Sequence, residues 1–370
     1  MKIVTVLGAR PQFIKAAPVS RVLREKHHEL IIHTGQHYDA NMSDVFFTEM
    51  HIPQPEYNLG VGSNSHARMT AAIMVGVEDI LLKEKPDCVL LYGDTNSTLA
   101  GALAASKLNI PIAHVEAGLR TYINTEPGYR VVYRSEPEEQ NRIITDHLAR
   151  WLFCPSQSAV KSLKEEGIEF GVYFVGDVMY DALLYYSKIA EQNNNGYYFN
   201  RLEFLYERKP EVDSWYVATI HRPDNTDNDR NLINILKALN RLDKKVIFPV
   251  HPRTKVVLKR INKENTYDNI YFVNPVSYID MVYLTKNAKK VITDSGGVHK
   301  EAYLMGVPCV TVLENTCWVE TLNGNWNVLA SPDENDIVSK VFDTIIDNNY
   351  KANCYGDGDA AQKIINILSI

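Results

Sequence analysis

The feature that most constrains this chain is a repeated alternation: a short apolar run, a turn, then a stretch with helical periodicity. It begins at once. Residues 2–7 are apolar and β-branched, Gly8 to Pro11 break the run, and 13–23 have helical spacing. Further apolar runs stand at 30–33, 88–92, 112–115, 151–154 and 172–175. Helical stretches at 66–82, 99–108 and 138–149 lie between most of them. Strands that are apolar along their whole length are covered on both faces, so the pattern predicts an α/β fold built on a parallel sheet.

After Asp177 the pattern changes. Residues 191–198 (EQNNNGYY) are polar and 208–213 are charged, which reads as a hinge or a surface excursion. The alternation then restarts, with strands expected at 215–220, 245–250, 270–273, 290–293 and 309–312 and helices near 231–242, 254–261, 278–286 and 298–305. A chain of 370 residues is too long for one compact core. Two Rossmann-like domains with parallel sheets facing a cleft are expected, one over 1–176 and one over 177–356. A C-terminal helix at about 357–370 could pack back on the first.

The net charge of -6 supplies no overall positive field for nucleic acid or anionic lipid, so neither is expected as a partner. A polyanionic ligand would need a local basic site. The first apolar run is too short for a signal-peptide core, and nothing approaches the roughly 18 apolar residues of a membrane span. Cys88, Cys154, Cys309, Cys317 and Cys354 are scattered and odd in number, as reduced thiols of a cytoplasmic protein would be.

Two turns look receptive to anions. Gly8-Ala9-Arg10-Pro11 ends a strand and opens a helix carrying Lys15, so backbone N–H groups, the helix end and Arg10 could meet a phosphate. An ordinary strand-to-helix turn explains the same residues. Thr293-Asp294-Ser295-Gly296-Gly297 opens a helix carrying His299, Lys300 and Glu301. Its glycines allow close approach to a pyrophosphate, Ser295 adds a hydroxyl, and Glu301 could accept ribose hydroxyls. A helix cap with a solvated Glu301 is the alternative.

Acidic residues follow the strands of the first half: Asp94 in GDTNS, Glu116 in HVEAGLR and Glu138 in PEEQNR. Converging at one sheet edge they would form an acid/base set, although helix capping accounts for Asp94 or Glu138 singly. In the second half His221-Arg222 and His251-Pro252-Arg253 each follow a strand, placed to bond a phosphate or a leaving oxygen. These acids and histidines lack the close spacing of zinc ligands, so no metal is expected.

Taken together, GARPQFIK, TGQHYD, GDTNST, HVEAGLR, PEEQNRIITDH, ATIHRPDN, HPRT and TDSGGVHKEA resemble the non-hydrolysing UDP-N-acetylglucosamine 2-epimerases. The match runs in order from residue 2 to about residue 328. The resemblance implies a glycosyltransferase-B type fold, no cofactor and a UDP-sugar substrate. It implies elimination of UDP to a 2-acetamidoglucal, then re-addition with the proton on the opposite face of carbon 2. By motif, Asp94, Glu116, Glu138 and His221 would be catalytic. Arg10, Lys15, His251, Arg253, Ser295, Gly296, Gly297 and Glu301 would bind the nucleotide. A homodimer, a regulatory site at Gln36, His37 and Arg68, and a role in supplying cell-surface polysaccharide are further implications.

Three departures from the family pattern bear on the sugar. Residues 121–136 form a longer link than relatives show, carrying Arg130 and Arg134 that could read a charged sugar. His299 stands where Gln is usual, and 313–318 (LENTCW) replaces a segment usually carrying Arg and Glu. A UDP-2,3-diacetamido-2,3-dideoxy-glucuronate 2-epimerase is therefore the alternative. A glycosyltransferase of the same fold would need an acceptor. A hydrolysing epimerase would release free sugar, and a sensor would not need the retained carboxylates.

Overall fold

The computed structural model describes residues 1–35, 49–62, 64–126, 129–206, 213–261, 267–347 and 353–370, with backbone alone at 124–126 and 129–131. They form two α/β units, Met1–Ala182 with Asn353–Ile370, and Leu183–Ala352. Each unit holds one parallel sheet, as the alternating pattern predicts.

In the first unit the strands are β1 (Lys2–Leu7), β2 (His28–His33), β3 (Tyr57–Asn58), β4 (Cys88–Tyr92) and β5 (Ile112–Val115). The hairpin β6 (Tyr122–Glu126) and β7 (Tyr129–Val132) follows, and then β8 (Trp151–Cys154) and β9 (Val172–Phe174). The main sheet has seven strands in the order β3-β2-β1-β4-β5-β8-β9. The chain winds outward from β1 to β3, returns, and continues on the other side from β4. Between β1 and β4 lies the switch point, where loops diverge and leave a crevice at the carboxyl edge. Val4, Val6, Val89 and Leu91 of the central strands pack against Ile73, Val77, Ala100 and Ala104 of helices His66–Glu84 and Asn96–Lys107. A buried Val, Leu or Ile stabilises by about 1.5–3 kcal/mol each.

The carboxyl-terminal helix Ala360–Leu368 belongs to this unit. Asp181 receives the N–H groups of Ala360 and Ala361 at 3.2 and 2.7 Å, capping its start. Lys26 Nζ donates to Asn366 Oδ1 at 3.1 Å near its end.

The second unit has β10 (Trp215–Thr219), β11 (Lys245–Pro249), β12 (Ile270–Val273), β13 (Val291–Thr293), β14 (Cys309–Thr311) and β15 (Asn327–Leu329). Its six strands run β12-β11-β10-β13-β14-β15, so its switch point lies between β10 and β13. The short strand β15 was not anticipated.

Two segments differ from the sequence reading. The polar run at 191–198 leads into a helix, Asn195–Arg201, because the Asn194 side chain accepts from Tyr197 N at 3.1 Å while Tyr198 and Phe199 are buried. The long link at 121–136 is an antiparallel hairpin closed by Tyr133 N donating to Thr121 O at 2.7 Å. Its base rests on the helix Gln157–Glu165, where Tyr122 OH donates to Ser162 Oγ at 3.0 Å. The five cysteines are free thiols, and burial pushes Cys88 and Cys309 up to about 12, which makes them inert packing groups. Among the described residues no helix is long and apolar enough to cross a membrane.

Candidate active site

The switch point of the first unit gathers the turns after β1, β4 and β5. After β1, Gln12 fixes the backbone: its Oε1 accepts from Gly8 N and Ala9 N at 2.8 and 3.0 Å. Its Nε2 donates to Tyr92 O and Thr98 Oγ1 at 2.9 and 3.0 Å. One amide thus ties the turn after β1 to the end of β4. Arg10 opens the helix Arg10–Lys26, and Lys15 lies buried one turn further in. Lys15 Nζ sits 2.6 Å from Glu116 Oε2. Burial alone would lower the Lys15 ammonium, but Glu116 and Asp94 outweigh it and hold the ammonium above its usual range.

Gly93, next to Asp94, has φ +64°, and a Cβ there would lie 3.1 Å from Lys15 Nζ. Glycine is favoured twice over, by the left-handed backbone and by the ammonium beside it, which a methyl would press upon. Glu116 itself has φ 73°. For a residue with a side chain that conformation costs about 1–2 kcal/mol, so the turn must be held from outside.

Helix Pro137–Leu148 supplies the hold. Glu139, Arg142 and Asp146 recur at helical spacing, and all are buried. Arg142 pairs through one nitrogen with Asp94 Oδ2, and through the other with Glu139 Oε2 at 2.5 Å. Burial would raise the Asp94 carboxyl, yet Arg142, Lys15 and His114 hold it below the usual carboxylate range. Burial raises Glu139, against the pull of Arg142. Asp146 Oδ2 accepts from Gly118 N at 3.1 Å and Arg120 at 2.7 Å. Glu138, the residue singled out from sequence, is exposed, whereas its neighbour Glu139 faces the network. The capping alternative for Asp94 also fails, because Thr95 caps the following helix.

In the second unit Asp294 anchors the switch point. It is fully buried and accepts from His221 N at 3.0 Å, Arg222 N at 2.9 Å and Asn225 Nδ2 at 3.1 Å. His221 Nδ1 lies 3.4 Å from the same carboxylate, and the His251 ring lies 5.1 Å away between centroids. Burial pushes His221 below its ordinary value although Asp294 pulls it up, which favours a neutral ring at neutral pH. His251 Nδ1 accepts from Arg253 N at 3.2 Å. The Arg253 guanidinium grips Asp227 at 2.5 and 2.6 Å, so its charge is already engaged.

Ser295 caps helix Gly296–Leu304 by accepting from Val298 N at 3.4 Å. A Cβ on Gly296 would meet nothing closer than Trp318 Nε1 at 3.7 Å, so protein packing alone does not demand glycine there. A helix start open to close approach and carrying partial positive charge suits an anion. Glu301 is buried one turn on and accepts from Tyr278 OH at 2.9 Å. Lys300, fully buried, stacks its ammonium 3.6 Å from the centre of the Trp318 ring.

In the first unit the structure brings Arg10, Lys15, Asp94 and Glu116 to one switch point. His221, His251, Arg253, Ser295, Gly296, Gly297 and Glu301 cluster at that of the second. Arg68 is exposed in the first turn of its helix, and its expected companions Gln36 and His37 lie outside the described residues. Among the described residues no cluster of His, Cys, Asp and Glu is placed to hold a metal ion. Sequence reasoning assigned no role to Gln12, His114, Glu139, Arg142, Asp146 or Asp294. Arg142 and Asp146 carry a usable signal, being polar residues three and seven places from Glu139 on one helix face.

The family model for UDP-N-acetylglucosamine 2-epimerase matches residues 21–369. A UDP-N-acetylglucosamine 2-epimerase homolog from Methanococcus maripaludis is 49% identical, covering 100% of this chain and 99% of its own. The UDP-2,3-diacetamido-2,3-dideoxy-D-glucuronate 2-epimerase of Pseudomonas aeruginosa is 42% identical, with 100% and 99% coverage. Among solved structures, Methanocaldococcus jannaschii UDP-GlcNAc 2-epimerase in complex with UDP-GlcNAc and UDP superposes with a TM-score of 0.88. It is 40% identical, with coverage of 100% and 99%.

Proposed function

The chain belongs to the UDP-N-acetylglucosamine 2-epimerase family, whose members are isomerases, and from that premise we propose that it inverts carbon 2 of UDP-N-acetylglucosamine to give UDP-N-acetylmannosamine. The observation that carries this reading is the contrast between the two switch points. One holds the buried carboxylates Asp94 and Glu116 beside Lys15 and Arg142, and the other a capped, glycine-lined helix start beside His221 and His251.

The chemistry explains what each can supply. The hydrogen on carbon 2 has no neighbouring carbonyl, so direct deprotonation is very hard. Breaking the anomeric C–O bond first leaves positive charge at carbon 1 and makes that hydrogen acidic. Loss of the proton gives the 2-acetamidoglucal, and UDP then returns with a proton delivered to the opposite face. Asp94, Glu116 and Glu138 form the acid/base set that removes the proton from one face of carbon 2 and returns it to the other. In the second unit Ser295, the N–H groups of Gly296 and Gly297 and His251 stabilise the diphosphate as it leaves, with His221 at the bridging oxygen and Glu301 on the ribose. In the first unit Arg10 is a cation suited to phosphate. Arg253 supports this set from its place beside His251.

The test is direct. Purified protein with UDP-N-acetylglucosamine in EDTA, followed by anion-exchange chromatography, should show UDP-N-acetylmannosamine with no metal or nicotinamide added. Activity lost in EDTA and restored by zinc or magnesium contradicts the metal-free reading. The Pseudomonas relative motivates a second reading, in which the diacetamido-glucuronate is the substrate. Efficient turnover of that acidic sugar, with UDP-N-acetylglucosamine left untouched, would favour it.

The same reading makes the enzyme a cytoplasmic homodimer that feeds cell-surface polysaccharide synthesis. Sedimentation at micromolar concentration should give the dimer, and a monomer alone contradicts it. A regulatory sugar-nucleotide site at Gln36, His37 and Arg68 predicts sigmoidal kinetics, and strictly hyperbolic kinetics in both directions contradict that.

A further inference from the structure

His114 lies at the centre of the first unit's network, fully buried at the end of β5. Its Nε2 is 2.7 Å from Gly93 O, and its Nδ1 is 2.7 Å from Asp146 Oδ1. A carbonyl oxygen can only accept, so Nε2 carries a hydrogen. Asp146 is also an acceptor: its other oxygen takes the Gly118 N–H and the Arg120 guanidinium, as an ionised carboxylate does. Nδ1 therefore carries a hydrogen too. A neutral ring has a single N–H and would leave one of these buried acceptors without its donor.

The placement of this ring matters because of what stands at either end. Gly93 precedes Asp94, and Asp146 holds the Gly118 N–H at 3.1 Å, in the turn that begins with Glu116. Asp146 is itself fixed by Arg120 at 2.7 Å, and Arg120 grips Glu166 with two bonds of 2.7 Å. The charged groups acting on the ring are thus Asp146 directly, Arg120 through it, and Asp94 across the turn.

We propose that His114 is a positioning residue that, as a buried imidazolium, holds the Gly93–Asp94 turn and the Glu116–Gly118 turn at one separation. The two carboxylates then meet the reacting carbon in register, which is where small misplacements cost rate. The kinetic consequence rests on the epimerase reading, whereas the protonation claim does not.

Two measurements test it. In protein labelled with 15N-histidine, a long-range 1H–15N spectrum at neutral pH should show both His114 nitrogens protonated, assigned by loss of the signals in His114→Gln. One protonated and one bare nitrogen would overturn the imidazolium. In the second, His114→Gln, His114→Asn and Asp146→Asn are checked for native circular dichroism and then assayed. Each folded variant should lose about ten- to a hundredfold in kcat while KM for the UDP-sugar stays within about threefold. Unchanged kcat in folded variants, or a rise in KM that accounts for the whole loss, overturns the positioning role. If the wild type shows no epimerisation, the epimerase reading fails by itself, and the spectrum still decides the state of the ring.

Discussion

The ammonium of Lys15 lies 2.6 Å from the carboxylate of Glu116, and both side chains are almost wholly buried. In such surroundings removing one partner is far more damaging than removing both, because it strands a charge away from water. Lys15→Met should destabilise the fold by about 3–5 kcal/mol in urea unfolding. Adding Glu116→Gln should recover part of that loss, and a double variant no more stable than the single one would show the pair is not coupled.

Gly93→Ala probes the same ammonium from the other side. The left-handed backbone costs an alanine about 1–2 kcal/mol, and the new methyl would press on Lys15 Nζ at 3.1 Å. Loss of stability of that size is expected, with a fall in kcat larger than any rise in KM. Wild-type kcat in the folded variant would mean that Lys15 tolerates displacement.

Arg142 bridges Asp94 and Glu139 with separate nitrogens of one guanidinium. Lysine keeps the charge but not the fork, so Arg142→Lys should lower kcat/KM by about tenfold or more, chiefly in kcat. An equal effect confined to KM would move Arg142 from the acid/base set to binding.

His299 is fully buried, and burial, with help from Lys300 and Arg222, lowers its pKa from 6.5 to about 3. As pH falls, the unfolded chain takes up this proton before the folded one does. The contribution to stability is therefore whole above pH 6.5 and is lost progressively towards about pH 3. His299→Gln should flatten the decline in denaturation midpoint across that window. Asp94, whose folded carboxyl is held low, loses its contribution as pH falls below the ordinary carboxylate range, and it is unaltered in this comparison.

The sheets and the switch-point turns were legible because buried parallel strands are apolar throughout and their turns need Gly, Ser or Asp. What escaped was direction. PEEQNR offers two adjacent glutamates, and spacing alone does not say that Glu139 faces the network while Glu138 is exposed. The pairing of Arg253 with Asp227, at the end of a neighbouring short helix, likewise joins residues that no local pattern links. The 121–136 segment reads as a loop because its strands lack the continuous apolar run of the main sheet, and its pairing is antiparallel. The roles of His114 and Asp146 depend on contacts 32 residues apart, which no local pattern records.

The central claim is that carbon 2 loses and regains its proton while UDP departs and returns. Proton NMR of UDP-N-acetylglucosamine with the enzyme in D₂O tests it most directly. The predicted result is deuterium at carbon 2 of both UDP-N-acetylmannosamine and recovered UDP-N-acetylglucosamine, with no free sugar. An epimer that retains its original hydrogen at carbon 2, or release of free N-acetylmannosamine, would contradict the account.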